Sequence, residues 1–147
     1  MKPTTHAFVS LGTSALFWLS VKSPLATVVC FLSGVFIDID HHLDYFIAKR
    51  RIPWRYKDLV DYFEDINSGK LYLVLHSYEL LFLLWMGIYF LMLNDIWLGL
   101  AVGATVHLAC DALVNSFRPM TYFMFFRIKN RFDRKRLFTQ EYVQKFS

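Results

Sequence analysis

An apolar run that ends in a cluster of ionisable residues limits how this chain can fold. Residues 25–37 are almost entirely apolar. The five ionisable side chains that follow within seven positions are Asp38, Asp40, His41, His42 and Asp44. Such side chains are costly to place in an apolar environment unless opposite charges or a bound cation compensate them. Carboxylates and imidazoles are also the ligands of zinc, manganese and iron, so the stretch indicates a metal site.

Apolar stretches of this kind recur along the chain. Of its 147 residues, 56 % are hydrophobic and 15 are phenylalanine. A helix needs about 20 apolar residues to cross the ~30 Å hydrocarbon core of a membrane. We therefore predict an all-α fold, an integral membrane four-helix bundle that forms a single transmembrane domain over residues 1–147. Its spans are predicted at about 3–21, 25–47, 71–93 and 96–117, and the first is expected to be retained, because no small-x-small cleavage site follows it.

The remaining segments are basic and amphipathic. Within the loop 48–70, Tyr56, Leu59, Val60 and Phe63 recur at helical spacing, which predicts a short amphipathic cytoplasmic helix that lies on the membrane surface or on a partner. The tail 118–147 alternates aromatic and cationic residues, which is typical of the lipid headgroup region. Lysine and arginine are concentrated in this loop and tail, so both termini are predicted to be cytoplasmic.

This topology places every histidine near the cytoplasmic end of a predicted span. His107 and Asp111 are four residues apart and therefore share a helix face. His76 and Glu79, three residues apart, are expected to do the same. The predicted metal ligands are His6, Asp38, Asp40, His41, His76, His107 and Asp111, with Asp40 and His41 either binding a second ion or lying just outside the ligands. One or two divalent ions are expected, zinc before manganese or iron because imidazoles are numerous.

Four further residues receive roles around this set. Glu79 is the candidate general base, since it is a carboxylate one turn from His76. His42 and Asn115 are candidates to orient ligands, and Arg118 to hold an anionic headgroup. The alternative is that the Asp/His pairs join helices by hydrogen bonds or relay protons.

In these motifs the chain resembles the YdjM-like family of bacterial membrane-bound metal-dependent hydrolases. The matching motifs are Thr5-His6, Gly34 followed by Asp38-Ile39-Asp40-His41, His76-Ser77, and His107 with Asp111. The chain departs from the family at Ile37, where a proline is usual, and at Lys70-Leu71, where a His-Arg pair is common. The resemblance implies a metal-dependent hydrolase of a bacterial inner membrane, and its motifs are also similar to those of zinc-dependent phospholipase C.

The function expected from residues and resemblance together is hydrolysis of a phosphoester in a lipid or lipid-like substrate at the cytoplasmic leaflet. The alternative is a non-catalytic membrane protein that holds a structural or transported metal ion. No nucleic-acid partner is expected, because lipid headgroups account for the basic, aromatic tail, and a homo-oligomer is compatible with the sequence.

Overall fold

A computed structural model describes residues 3–146 and confirms the all-α prediction: no β-strand forms within that range. Met1, Lys2 and Ser147, which the predicted domain includes, lie outside the described residues. The described chain divides into two compact units. The first contains residues 3–37 and Tyr78–Asn115, and the second contains Asp38–Ser77 and residues 116–146.

The first unit is built from four helices, α1 (Pro3–Val21), α2 (Pro24–Phe36), α5 (Tyr78–Phe90) and α6 (Asp95–Val114). Helix α6 packs against the other three, and most extensively against α2. Small residues permit this contact, because a Cβ atom at Gly103 would collide with the Cys30 carbonyl and one at Gly99 with the Ala26 carbonyl. Glycine at such positions lets helix backbones approach closely, as in membrane proteins.

Helix α1 has its polar face inward and its apolar face outward. Its buried residues include His6, Ser10 and Ser14, whereas Phe8 and Leu16 are 75 % and 69 % exposed. No residue of α5 is buried. Other large apolar side chains of this unit that are more than half exposed include Leu25, Phe82, Leu83, Phe90 and Leu113. Exposed apolar surface of this extent marks contact with lipid or with another protein.

Two helical stretches of the described chain are long and apolar enough to cross a membrane, Pro24–Lys49 and Asp95–Val114. The first includes α2, a turn at Ile37 and Asp38, and α3 (Ile39–Lys49). Helix α5 is apolar but has only 13 residues, or about 20 Å, which is less than the ~30 Å hydrocarbon core.

The second unit contains α3, α4 (Tyr56–Glu64) and the helices of the C-terminal segment. Helix α4 lies where the sequence predicts an amphipathic helix. The helices after Ser116 are a 3-10 helix at Pro119–Tyr122, α7 (Met124–Lys129), α8 (Arg134–Leu137) and α9 (Gln140–Phe146). The core of this unit includes a cluster of Leu71, Leu73 and Leu137, in which the C-terminal segment packs on residues that precede α5.

Two arginines of the C-terminal segment are buried, which the headgroup interpretation of the tail did not anticipate. Arg127 and Arg134 are 1 % and 0 % exposed. Arg134 donates to the carbonyls of Tyr62 at 2.9 Å and Phe63 at 3.3 Å, and its guanidinium lies 4.2 Å from the centre of the Tyr62 ring. The last carbonyls of a helix lack partners within that helix. Arg134 thus caps the C-terminal end of α4.

Residues 70–77 do not form the start of a helix, although the sequence predicts a span from residue 71. Leu73 has a positive φ of 44°, and α5 begins only at Tyr78. The backbone amides in between are occupied elsewhere: that of Tyr72 donates to the Asp44 carboxylate and that of Leu75 to Asp40. These bonds replace helical ones, so the segment is held irregular against α3. His76 and Glu79 therefore do not share a helix face.

Candidate metal centre

In the first unit, an Asp/His cluster of potential metal ligands joins α1 to α6. From this unit it includes His6 on α1 with His107 and Asp111, one turn apart on α6. His6 Nε2 lies 3.1 Å from Asp111 Oδ1, and His107 Nε2 lies 3.5 Å from Asp111 Oδ2. The two imidazole rings are stacked with their centroids 3.9 Å apart. At 2 %, 2 % and 1 % exposure, all three residues are buried.

A backbone carbonyl orients one histidine of this cluster. His107 Nδ1 lies 2.8 Å from the carbonyl oxygen of Gly34 on α2. A carbonyl only accepts hydrogen bonds, so Nδ1 is the donor, and in the neutral ring the lone pair is on Nε2. Histidines that bind metals are commonly held in this way. Gly34 is suited to the position because a Cβ atom there would collide with the Ser10 side chain.

The second cluster lies within the second unit and consists of Asp38, His41 and His76. Nε2 of His41 and Nε2 of His76 each lie 3.5 Å from Asp38 Oδ1. The two rings are stacked, with centroids 4.8 Å apart. His76 is 1 % exposed, whereas the side chains of Asp38 and His41 are each 23 % exposed. This cluster is therefore more accessible than the first.

The atom separations in both clusters fit a small divalent cation. Zinc binds imidazole nitrogen and carboxylate oxygen at about 2.0–2.2 Å, so neighbouring ligand atoms of a tetrahedral ion are about 3.4 Å apart. The nitrogen–oxygen distances given above are 3.1 and 3.5 Å. In each cluster the potential ligand atoms all lie within 4.8 Å of one another. A buried Asp/His group that can hold a metal ion is thus present, as the sequence predicts.

Asp40 lies next to the second cluster but contacts a histidine rather than completing the set. Its Oδ2 is 3.3 Å from His76 Nδ1 and 2.7 Å from the amide nitrogen of Leu75. His42, predicted to orient a ligand, is exposed on α3. The sequence left open whether Asp40 and His41 bind a second ion or lie just outside the ligands. In the structure, His41 belongs to the second cluster and Asp40 lies just outside it.

The other predicted residues, Glu79, Asn115 and Arg118, do not belong to either group of potential metal ligands. Glu79 is in the first turn of α5 and half buried. Asn115 ends α6, where its amide donates to the Asp111 carbonyl at 2.9 Å. Arg118 donates from Nε to the Phe138 carbonyl at 2.9 Å, a contact that ties the C-terminal segment together. Their proposed roles as base, orienting residue and headgroup ligand remain predictions.

Sequence reasoning gave no role to two residues that support the second cluster. Arg127 donates from Nη1 to the His76 carbonyl at 3.1 Å. Asp44 accepts from the Tyr72 amide through both carboxylate oxygens, at 3.0 and 3.1 Å. Arg127 resembles the other tail cations in the sequence, so nothing local distinguished it. Asp44 could have been found from the sequence, because it is four residues from Asp40 and therefore shares its helix face.

Comparison with known proteins finds no matching family model, no similar curated protein and no similar solved structure. The two Asp/His clusters and the apolar exterior of the first unit are therefore the basis for assigning a function.

Proposed function

We propose that this protein is a membrane-bound metal-dependent hydrolase that cleaves a phosphoester of a lipid or lipid-like substrate at the cytoplasmic leaflet. The observation that carries the proposal is the convergence of imidazole nitrogens and carboxylate oxygens at 3.1–3.5 Å in two clusters. Clusters of this composition suit zinc, with manganese or iron as alternatives. The motif resemblance to the YdjM-like hydrolases supports the same reaction class.

The accessibility of the clusters favours different roles for them. A structural metal site is closed by protein ligands, whereas a catalytic one keeps a position for water or substrate. The first cluster, buried on two helices, has the character of a structural site that ties α1 to α6. The second, with Asp38 and His41 partly exposed, has the character of a site that substrate can reach.

The chemistry follows from that second cluster. A divalent ion held by Asp38, His41 and His76 would lower the pKa of its bound water and polarise a phosphoryl oxygen. His41 and His76 present Nε2, Asp38 presents Oδ1, and Asp40 holds the ring of His76. Glu79 is proposed to accept the proton of the attacking water, and Arg118 to neutralise the substrate phosphate.

The second candidate is a non-catalytic protein with a structural or transported ion, favoured by the near-complete burial of the first cluster. Glu79→Gln separates the two candidates. If Glu79 is the base, this variant is expected to keep its metal and its melting temperature but to lose about 10²–10⁴-fold in hydrolysis. The measurements are metal content, thermal unfolding and turnover of a phospholipid and polyprenyl-phosphate panel, all on one preparation.

Glu141→Gln is the matched control, because Glu141 is an exposed glutamate on α9. It should behave as wild type in all three assays. Loss of metal or of stability in Glu79→Gln would instead make Glu79 a ligand or a packing residue. A wild type that binds metal and hydrolyses no member of the panel would support the non-catalytic protein.

We further propose that residues 48–70 and the C-terminal segment face the cytoplasm and that the turn before α6 faces outward. This orientation is supported by the concentration of lysine and arginine in residues 48–70 and in the C-terminal segment. Trp54 and Met92 are 94 % and 86 % exposed and suit cysteine labelling after Cys30 and Cys110 are replaced by serine. A membrane-impermeant maleimide is expected to label Met92→Cys in intact cells and Trp54→Cys only in inverted vesicles. The opposite pattern would reverse the proposed orientation.

A further inference from the structure

The Asp40 carboxylate makes an unusual set of contacts with a single stretch of backbone and side chain. It is 2 % exposed, and its Oδ2 accepts from the Leu75 amide at 2.7 Å and from the His76 amide at 3.3 Å. The same oxygen lies 3.3 Å from His76 Nδ1. One oxygen therefore fixes both the backbone and the ring of His76.

The ring contact determines which nitrogen of His76 can bind a metal. An ionised carboxylate only accepts, so His76 Nδ1 carries the proton and donates it to Asp40. The lone pair of the neutral ring is then on Nε2, the atom 3.5 Å from Asp38 Oδ1. On the opposite side of the residue, Arg127 Nη1 donates to the His76 carbonyl. His76 is thus held at its ring, its amide and its carbonyl.

Asp44 provides an internal comparison for this arrangement. It lies one helical turn after Asp40 on α3 and is 1 % exposed. Its carboxylate accepts from the amide of Tyr72, in the same irregular segment. Both aspartates therefore hold the backbone of residues 70–77, but Asp40 also contacts the ring of His76. Comparing variants of the two aspartates therefore separates the effect of holding this backbone from the effect of holding the imidazole ring of His76.

We propose that Asp40 is a positioning residue that fixes the tautomer and orientation of His76, so that Nε2 completes the metal site with Asp38 and His41. This inference rests on the proposed function, because it assumes that the second cluster binds a divalent ion. Asp40 then holds the ligand His76 in place and does not itself bind the ion. Carboxylates that hold ligating histidines typically contribute 10–100-fold to metal affinity.

The test compares Asp40→Asn with Asp44→Asn in the full-length, detergent-purified protein. Metal-free protein is titrated with Co²⁺, followed by its visible absorption, and then with Zn²⁺ against a chelator. Asp40→Asn is expected to weaken one binding event about 10–100-fold and to alter the cobalt spectrum. Asp44→Asn should lower the melting temperature to a similar degree but leave the cobalt spectrum unchanged and the affinity within about threefold.

Each other outcome contradicts the inference in a different way. Equal weakening by both variants would mean that Asp40 only supports the backbone, and no change in either metal readout would give it no role with His76. Complete loss of one metal equivalent would make Asp40 itself a ligand. A wild type that binds no metal would instead overturn the proposed function. If Asp40→Asn does not fold, Asp40→Glu is measured instead, because it keeps the charge but moves the carboxylate by one methylene. An unchanged cobalt spectrum in Asp40→Glu would overturn the inference.

Discussion

The double variant His107→Ala/Asp111→Ala is expected to lose about one equivalent of bound divalent metal and to unfold at a lower temperature than the wild type. In the first cluster, His107 and Asp111 come from α6, and His6 comes from α1. An ion held by all three links the helices, so its binding free energy adds to the free energy of unfolding. A metal present at about 1,000 times its Kd contributes about 4 kcal/mol.

Metal content by mass spectrometry and thermal unfolding with and without a chelator check this expectation. The chelator should lower the melting temperature of the wild type more than that of the double variant, because the variant has already lost an ion. The matched control is His42→Ala/Asp61→Ala, which removes one imidazole and one carboxylate from exposed positions. Full metal occupancy in His107→Ala/Asp111→Ala would rule out the first cluster as a metal site.

The second large effect is expected from Arg134→Ala, which should destabilise the second unit by about 1–3 kcal/mol for each buried carbonyl that loses its donor. The substitution leaves the carbonyls of Tyr62 and Phe63 without the donor that caps α4. It also removes a guanidinium that packs on the Tyr62 ring. Because this unit carries the second cluster, metal affinity should fall with stability. Urea unfolding and limited trypsin digestion of the C-terminal segment measure the change.

Arg136→Ala serves as the control on the same helix. Arg136 is 63 % exposed, and its Nε lies 3.6 Å from Asp133 Oδ2. Substitutions at such surface positions usually change stability by no more than about 0.5 kcal/mol. If Arg134→Ala and Arg136→Ala changed the free energy of unfolding equally, the contacts of Arg134 would not stabilise the second unit.

Local sequence signals were sufficient wherever the partner of a residue lies nearby in the chain. Ser23 and Pro24 fix the start of α2, since the Ser23 side chain accepts from the Ala26 amide and proline is suited to the first helical position. Asn94 accepts from the Ile96 amide and begins α6. The spacing of His107 and Asp111 places them one turn apart on α6, where the structure brings them to one cluster. The all-α class and the presence of an Asp/His group were predictable on this basis.

Hydropathy predicted a helix through residues 71–77 because it scores each residue without its distant partners. The amides of Tyr72 and His76 instead bind carboxylates that precede them by 28 and 36 residues. Arg134 likewise reaches a helix end about 70 residues earlier in the chain. Nothing in the sequence around Arg134 distinguishes it from an arginine whose side chain is exposed to solvent.

The sequence by itself determined the helical class, the apolar segments and the types of ligand atom, because these depend on residue identity and short spacing. Only the tertiary structure decided which potential ligands come close to one another and which carboxylate contacts the Nδ1 atom of His76. It also decided which arginines are buried. The physical reason is that a buried carboxylate or guanidinium must find hydrogen-bond partners, and those partners come from whatever backbone the fold brings near. For Asp40 and Arg127, that backbone belongs to His76.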